Sequence, residues 1–479
     1  MTNSLNTVKN LLWKFGERCG AQLISFIVSL ILARIIEPAL YGQLAIVLAF
    51  ITIMQVFIDN GLSTCLIQKK DSDDIDFSSV FYFNLLLSVL LYLIIFISAP
   101  FISNFYDIPL LSLYIRVMSF NIIISSVKSV QQAYVSKNLI FKKFFFSTIL
   151  GTIIAAIVSI YMAYHEFGIW ALIVNYMLNN TIDTIILWFT VKWRPKKYFS
   201  ISRLKTLLPF GFTVFLTYLT NSLYGEFRQL IIGKKYSNSD LAYYNRARQF
   251  PFLFVENINA AIDGVLFPTM SNVSDDRKEI KEITRSTIKI STYIFAPLLF
   301  GLIAISKPLI ILLLTEKWSP CIPYIPLFCI IFLFQPLHMA NKIAIKSMGK
   351  GNVLFKQEII NDVIGVLILL FVFKYGVYAI AVGYLISSFS DLIINCFPNR
   401  KLIKYGLINQ LIDIAPTLLL GLLMCIIVYL IPTIGFSYLL TIIVKIIVGG
   451  VFYIGMSMIF HVQVFYDSIN IVKKLLKTQ

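Results

Sequence analysis

Apolar residues run through this chain in blocks of twenty or more, broken by short polar segments. About 20 such residues span a bilayer's hydrocarbon, and cutting the chain on that rule predicts about fourteen helices. Twelve have limits near 12–36, 40–67, 79–102, 110–135, 142–164, 167–191, 206–232, 242–272, 286–315, 320–345, 353–374 and 377–398. A trailing pair covers 411–432 and 435–460. The connections are short, so no soluble domain is expected between spans. The first run is too long for a signal-peptide core and no small-residue cleavage site follows it, so it is expected to be retained as span one.

Polar positions inside these blocks recur at helical spacing. In the first span Lys14, Arg18, Gln22, Ser25 and Ser29 share one face, with Glu17 beside it. The seventh repeats the spacing with Thr213, Thr217, Asn221, Tyr224 and Arg228. Span six contributes Asn175, Asn179 and Asp183, span eight Glu256, Asn259 and Asp263, and span ten Gln335, His338 and Lys342. A polar face of that length should meet protein or water rather than acyl chains, which predicts a central polar cavity. Taken singly, Ser25 or Thr217 reads better as helix-packing glue.

The chemistry of these positions divides by charge. Arg18, Arg116, Lys128, Arg228 and Lys342 are candidate substrate-binding cations, suited to phosphate or carboxylate oxygens. Gln22, Ser25, Asn175, Asn179, Thr217 and Asn221 are candidate cavity lining. Glu17, Asp183, Glu256, Asp263 and Asp391 are candidate sites for coupling to a proton or sodium gradient, or braces that pair with the cations. The pattern contains no Walker motif, no HExxH and no CxxC, and so predicts neither direct ATP use nor a metal or other cofactor.

An internal repeat orders the spans. FGIWALIVNYMLNNTIDTII (167–186) aligns without a gap to YGVYAIAVGYLISSFSDLII (375–394), matching Gly168 to Gly376 and Asp183 to Asp391. Matching intramembrane carboxylates are informative because a charge in lipid is costly. The predicted organisation is an N-lobe at 1–195, a C-lobe at 196–404, and a helix pair with a basic tail at 405–479. Lobes of six spans keep the same membrane orientation, an arrangement suited to alternating access.

Composition agrees with a polytopic, all-α membrane protein: 58% of the 479 residues are hydrophobic and 14% charged, at a mean hydropathy of +0.81. Most of the basic residues behind the net charge of +17 fall in alternate loops, which puts both termini in the cytoplasm. They are dispersed rather than grooved, so nucleic acid is not an expected partner. One outer segment, IGKKYSNSDLAYYNRARQ, breaks the rule with its basic residues. The acidic run at Asp74-Ile75-Asp76 superficially resembles a metal-binding DxD but reads better as a solvated charge run.

ARIIEPALYGQLAIVLAFITIMQVFIDNGLSTCLIQKKD (33–71), DFSSVFYFNLLLSVLLY (76–92) and IIGKKYSNSDLAYYNRARQFP (231–251) carry a family resemblance. They resemble the Wzx-type O-antigen and exopolysaccharide flippases, of the colanic-acid kind, in the polysaccharide-transport branch of the multidrug/oligosaccharidyl-lipid/polysaccharide exporters. Departures are small: Ala242 stands for the usual Gly before Tyr, and Glu37-Pro38-Ala39-Leu40-Tyr41-Gly42 for a Gly-Pro-x-x-Tyr-Gly element. The resemblance implies a non-enzymatic transporter in the bacterial inner membrane. Its substrate would be an undecaprenyl-pyrophosphate-linked oligosaccharide, flipped to the outer leaflet for O-antigen, capsule or exopolysaccharide synthesis. A polysaccharide polymerase and a chain-length regulator, besides membrane lipids, are the implied partners. The competing reading is a cation-coupled multidrug antiporter of the same superfamily, disfavoured by cations in the spans.

Overall fold

A computed structural model describes residues 2–59, 61–69, 71–432 and 437–467, and among them the chain is helical with no strand. The helices are α1 (Thr2–Ile35), α2 (Pro38–Asp59), α3 (Leu62–Gln68), α4 (Asp74–Tyr106), α5 (Leu111–Lys137) and α6 (Lys142–Tyr164). They continue with α7 (Ile169–Thr190), α8 (Ile201–Lys235), α9 (Asn238–Asn272), α10 (Arg277–Leu314), α11 (Tyr324–Leu333) and α12 (Gln335–Ser347). The last four are α13 (Gly351–Val372), α14 (Val377–Leu402), α15 (Leu407–Leu430) and α16 (Tyr438–Ile459). A 3-10 turn, Glu316–Cys321, precedes α11.

Two predicted spans are broken rods. The one at 40–67 divides into α2 and α3, where Gly61 takes the left-handed φ of 74° that ends one helix and starts another. The one at 320–345 divides into α11 and α12 at Phe334, just ahead of Gln335-Pro336. Pro336 lacks the N–H that a continuous helix would use.

Eleven stretches among the described residues are long and apolar enough to cross a membrane. Helices α7, α8 and α13 have the length but fall outside that set, because polar residues interrupt them. These are Asn179, Asn180 and Asp183 in α7, Thr220, Asn221 and Glu226 in α8, and Glu358, Asn361 and Asp362 in α13. Composition among the described residues thus accounts for eleven of the fourteen predicted spans, and at the positions of the other three stand helices of mixed polarity.

The contacts divide the chain into two units, Met1–Ala242 and Tyr243–Gln479. In the first, α6 packs on α7 and α1, α4 on α5, and α8 on α2, α3 and α4. Close approach sets the packing of α2 against the end of α8 and the start of α9. A Cβ on Gly42 would stand 1.8 Å from the Asn238 carbonyl oxygen, and one on Gly233 2.8 Å from Ile46. Two of the stretches that carry the family resemblance thus meet in space.

At one end of this unit Trp193 lies against Phe77 and Tyr134 in a buried cluster with Leu204 and Leu207. The acidic run there is structural rather than simply solvated. Asp76 is fully buried, with Lys69 at 2.5 Å and Arg203 at 3.7 Å, while Asp73 and Asp74 pair with Arg203 and Lys196. Asp73 also caps α4, accepting from the amides of Ile75 and Asp76. The backbone N–H groups of Lys196 and Ser200 donate to the hydroxyls of Ser78 and Ser79, fixing the basic linker to α4. At the other end Lys234, one of the basic residues that break the loop-charge rule, pairs with Asp107 at 3.0 Å.

In the second unit α10 packs on α15 and α16, and α14 on α11, α12 and α13. A buried polar chain ties these helices. Asn341 Nδ2 and Gln410 Nε2 exchange bonds with each other's carbonyl oxygens at 2.8 and 2.9 Å, and Asn399 Nδ2 donates to Asn341 Oδ1 at 2.6 Å. Each apolar surround makes such a bond stronger and its loss costlier. The repeat is visible in the backbone too: Gly168 before α7 and Gly376 before α14 both have positive φ, 55° and 103°.

Candidate functional site

The first unit contains a polar pocket of about 410 Å³, walled mainly by α5 and α7. On α5 the residues Asn121, Ser125, Lys128 and Gln132 follow one another at helical spacing, so one face supplies four polar groups. On α7 Tyr176, Asn179, Asn180 and Asp183 do the same, while α2 adds Gln55 and α6 adds Thr148. The α6–α7 approach at this level depends on Gly151, where a Cβ would lie 3.0 Å from the Asn179 carbonyl oxygen.

The two main walls are joined by an ion pair and its hydrogen bonds. Lys128 Nζ is 3.1 Å from Asp183 Oδ2 and also donates to Asn180 Oδ1. Asn180 Nδ2 donates in turn to Asn121 Oδ1 at 2.7 Å and Ser125 Oγ at 2.9 Å. A lone charge here would be expensive, and the pair plus its amide partner is what makes both ions tolerable. The other oxygen of Asp183, Oδ1, is buried and accepts no hydrogen bond. Among the described residues the amides of Gln55, Gln132 and Asn179 make no hydrogen bond to the protein, so the pocket wall has donors and acceptors to spare.

The structure brings together three predicted residues, Lys128, Asn179 and Asp183. Two others are neighbours of the pocket. Glu17 accepts from Thr148 Oγ1 at 3.3 Å, and Asn175 accepts from Ser159 Oγ at 3.3 Å. Arg116 is held elsewhere, its Nε donating to the Phe96 carbonyl at 3.1 Å and its guanidinium lying 4.3 Å from that ring. Arg228 is buried beside Tyr224, and Lys342 sits 3.7 Å from Glu358 in the second unit. Arg18, Ser25, Asn221 and Asp263 are exposed, while Gln22, Glu256 and Asp391 are partly buried. The side chains of Lys14, Thr213 and Thr217 lie outside the described residues.

Sequence reasoning missed the α5 wall, Asn180 and Tyr176. The signal was present, since Asn121, Ser125, Lys128 and Gln132 form a stripe as regular as the one in α1. It also missed most of the buried chain of the second unit, where His338 Nδ1 lies 3.0 Å from Asn395 Nδ2 and Asn361 Nδ2 donates to Asn395 Oδ1. That unit holds a different kind of space: an apolar groove of about 890 Å³ along α10, α15 and α16, with Lys445 in its wall.

A polar pocket inside long apolar helices defines a multi-pass membrane protein of transporter type rather than a soluble catalyst. The family model described as "Polysaccharide biosynthesis protein" matches residues 31–323, and the chain belongs to that family. The chain is 23% identical to the succinoglycan biosynthesis transport protein ExoT of Rhizobium meliloti over 75% of this chain and 73% of that one. It is 24% identical to the lipopolysaccharide biosynthesis protein WzxC of Escherichia coli over 67% and 66%. Among solved structures, the inward closed lipid II flippase MurJ superposes with a TM-score of 0.79 at 17% identity, covering 95% of this chain and all of that one. An inward-facing multidrug transporter of the MATE family gives 0.63 at 14% identity, covering 81% and 96%. The chain shares its fold with these two structures.

Proposed function

We propose that the protein is a flippase that moves undecaprenyl-pyrophosphate-linked oligosaccharide repeat units from the cytoplasmic to the outer leaflet of a bacterial inner membrane, for surface polysaccharide synthesis. What carries the reading is membership of a polysaccharide biosynthesis family on a fold shared with a lipid II flippase. Both termini are cytoplasmic, and transport proceeds by alternating access between the repeat lobes divided near residue 195. A polymerase and a chain-length regulator receive the flipped unit.

The parts of such a substrate differ in chemistry, and the chain offers surfaces for each. The apolar groove along α10, α15 and α16 suits an isoprenoid chain, since its wall is almost wholly aliphatic and aromatic. Arg18 and Arg228 are the cations assigned to the pyrophosphate. Among the carboxylates assigned to proton or sodium coupling, Asp183 has the strongest case, because it is buried and ion-paired.

The test is complementation of a flippase-deficient strain and analysis of the glycan that reaches the surface. Restored export supports the reading. Failure to restore it, with carboxylate-dependent efflux of cationic dyes instead, would move the protein to the multidrug class.

A further inference from the structure

The polar pocket of the first unit is chemically unlike a phosphate site. Its one cation, Lys128, is held by Asp183 at 3.1 Å and by Asn180, so its charges cancel. A phosphate entering would meet no cation in this lining that a carboxylate has not already neutralised. A cationic ligand would find the same carboxylate already neutralised. What remains unspent is hydrogen-bonding capacity without charge: the amides of Gln55, Gln132 and Asn179. Tyr176, 42% exposed, adds an aromatic ring to the wall.

Hydroxyl groups donate and accept at once, which is what this set of carboxamides can satisfy. An aromatic ring beside them offers an apolar face for the C–H side of a pyranose. The volume of about 410 Å³ falls within the roughly 300–1,000 Å³ of small-molecule sites. From this we infer that the pocket is a saccharide-reading subsite, binding an uncharged, hydroxyl-rich sugar residue of the transported unit and selecting among glycans. The inference rests on the flippase reading and adds where the sugar, as distinct from the pyrophosphate, is recognised.

Gln55→Leu and Gln132→Leu are the useful variants, since neither amide is bonded to the protein and their loss should leave the fold intact. Full-length protein in nanodiscs would be examined by saturation-transfer difference NMR. The probes are methyl glycosides of glucose, galactose, rhamnose and N-acetylglucosamine, with inorganic pyrophosphate as the charged comparison. At least one neutral glycoside should bind the unaltered protein, and about tenfold more weakly in each variant, the loss expected for one or two hydrogen bonds. Pyrophosphate binding should be unchanged by either substitution. If every glycoside fails to bind, or binds equally to the variants, or if pyrophosphate binding falls instead, the subsite is overturned. Complementation separates the two readings. Failure of the unaltered protein to restore export removes the flippase reading, whereas restored export with full activity and unaltered glycan selection in both variants removes only the sugar subsite.

Discussion

Arg285 of α10 grips Asp413 of α15 with both arms, Nε 2.7 Å from Oδ2 and Nη2 2.6 Å from Oδ1. The Tyr405 hydroxyl donates to the same Oδ2 at 2.9 Å, so one carboxylate joins three segments of the second unit. Fork geometry of this kind depends on a planar guanidinium. Arg285→Lys, which keeps the charge, should therefore destabilise by about 1 kcal/mol, and Asp413→Ala by about 1–3 kcal/mol. Thermal unfolding in detergent, followed by size-exclusion fluorescence, reads both. Equal melting of Arg285→Lys and the unaltered protein would deny the fork its role.

The Lys128–Asp183 pair should show the asymmetry of buried ions. Lys128→Met leaves a buried carboxylate alone and should cost about 3–5 kcal/mol. Adding Asp183→Leu removes that orphan and should recover much of the loss. The comparison is between melting temperatures of single and double variants; a double variant worse than the sum of both singles would contradict it.

Gly42→Ala should be severe. Its Cβ would fall 1.8 Å from the Asn238 carbonyl oxygen, and backbone cannot step aside as a side-chain end can. Overpacking usually costs about 1–3 kcal/mol, and this position should meet or exceed that range. Gly225 is the control, because nothing lies within 4 Å of its Cβ position and it sits within α8. Gly225→Ala should be neutral or slightly stabilising. Yield of monodisperse protein and melting temperature compare them.

The α4 cap should loosen in acid. Hydrogen bonding from the Asp76 amide, with help from Arg203, holds the Asp73 carboxyl below its ordinary 3.8. A depressed carboxyl contributes its stability above the unfolded value and loses it as pH falls through the folded one. The amides of Ile75 and Asp76 should thus show smaller protection factors, each rate taken against the intrinsic rate at the same pH, at a pH below 3.8 than near neutrality. In Asp73→Ala the protection factors of the same amides should be small at both, so a pH-dependent cap in that variant would rule the carboxyl out.

How much of this was legible beforehand depends on how each residue signals. Apolar blocks and the Gly168/Gly376 and Asp183/Asp391 matches were visible because charge and glycine are conspicuous among Leu and Ile. The pocket was half visible: Lys128, Asn179 and Asp183 stood out, but Asn121, Ser125 and Gln132 are residues that also glue membrane helices. Only their convergence on Asn180 and the ion pair separates the two uses, and convergence is a property of packing. The breaks at Gly61 and Phe334 hid within continuous hydropathy, which does not register a backbone angle. Asp76 was hidden differently: in a run of acids it looks solvated, and its burial against Lys69 needs a chain fold to bring Arg203 over it.

The α2–α8 seam has a consequence for how the protein is made. Gly42 and Asn238, the first residue of α9, approach backbone to backbone just beyond that seam, yet almost the whole first unit separates them in the chain. At about 5–20 residues per second of synthesis, on the order of 10–40 s pass between the emergence of the two. During that interval α2 stands in the membrane with its closest-packed face uncovered. The first unit is therefore finished not when its own six leading spans are inserted but only when α8 and the start of α9 arrive. A ribosome stalled before α8 should leave a nascent chain unusually open to membrane proteases and chaperones.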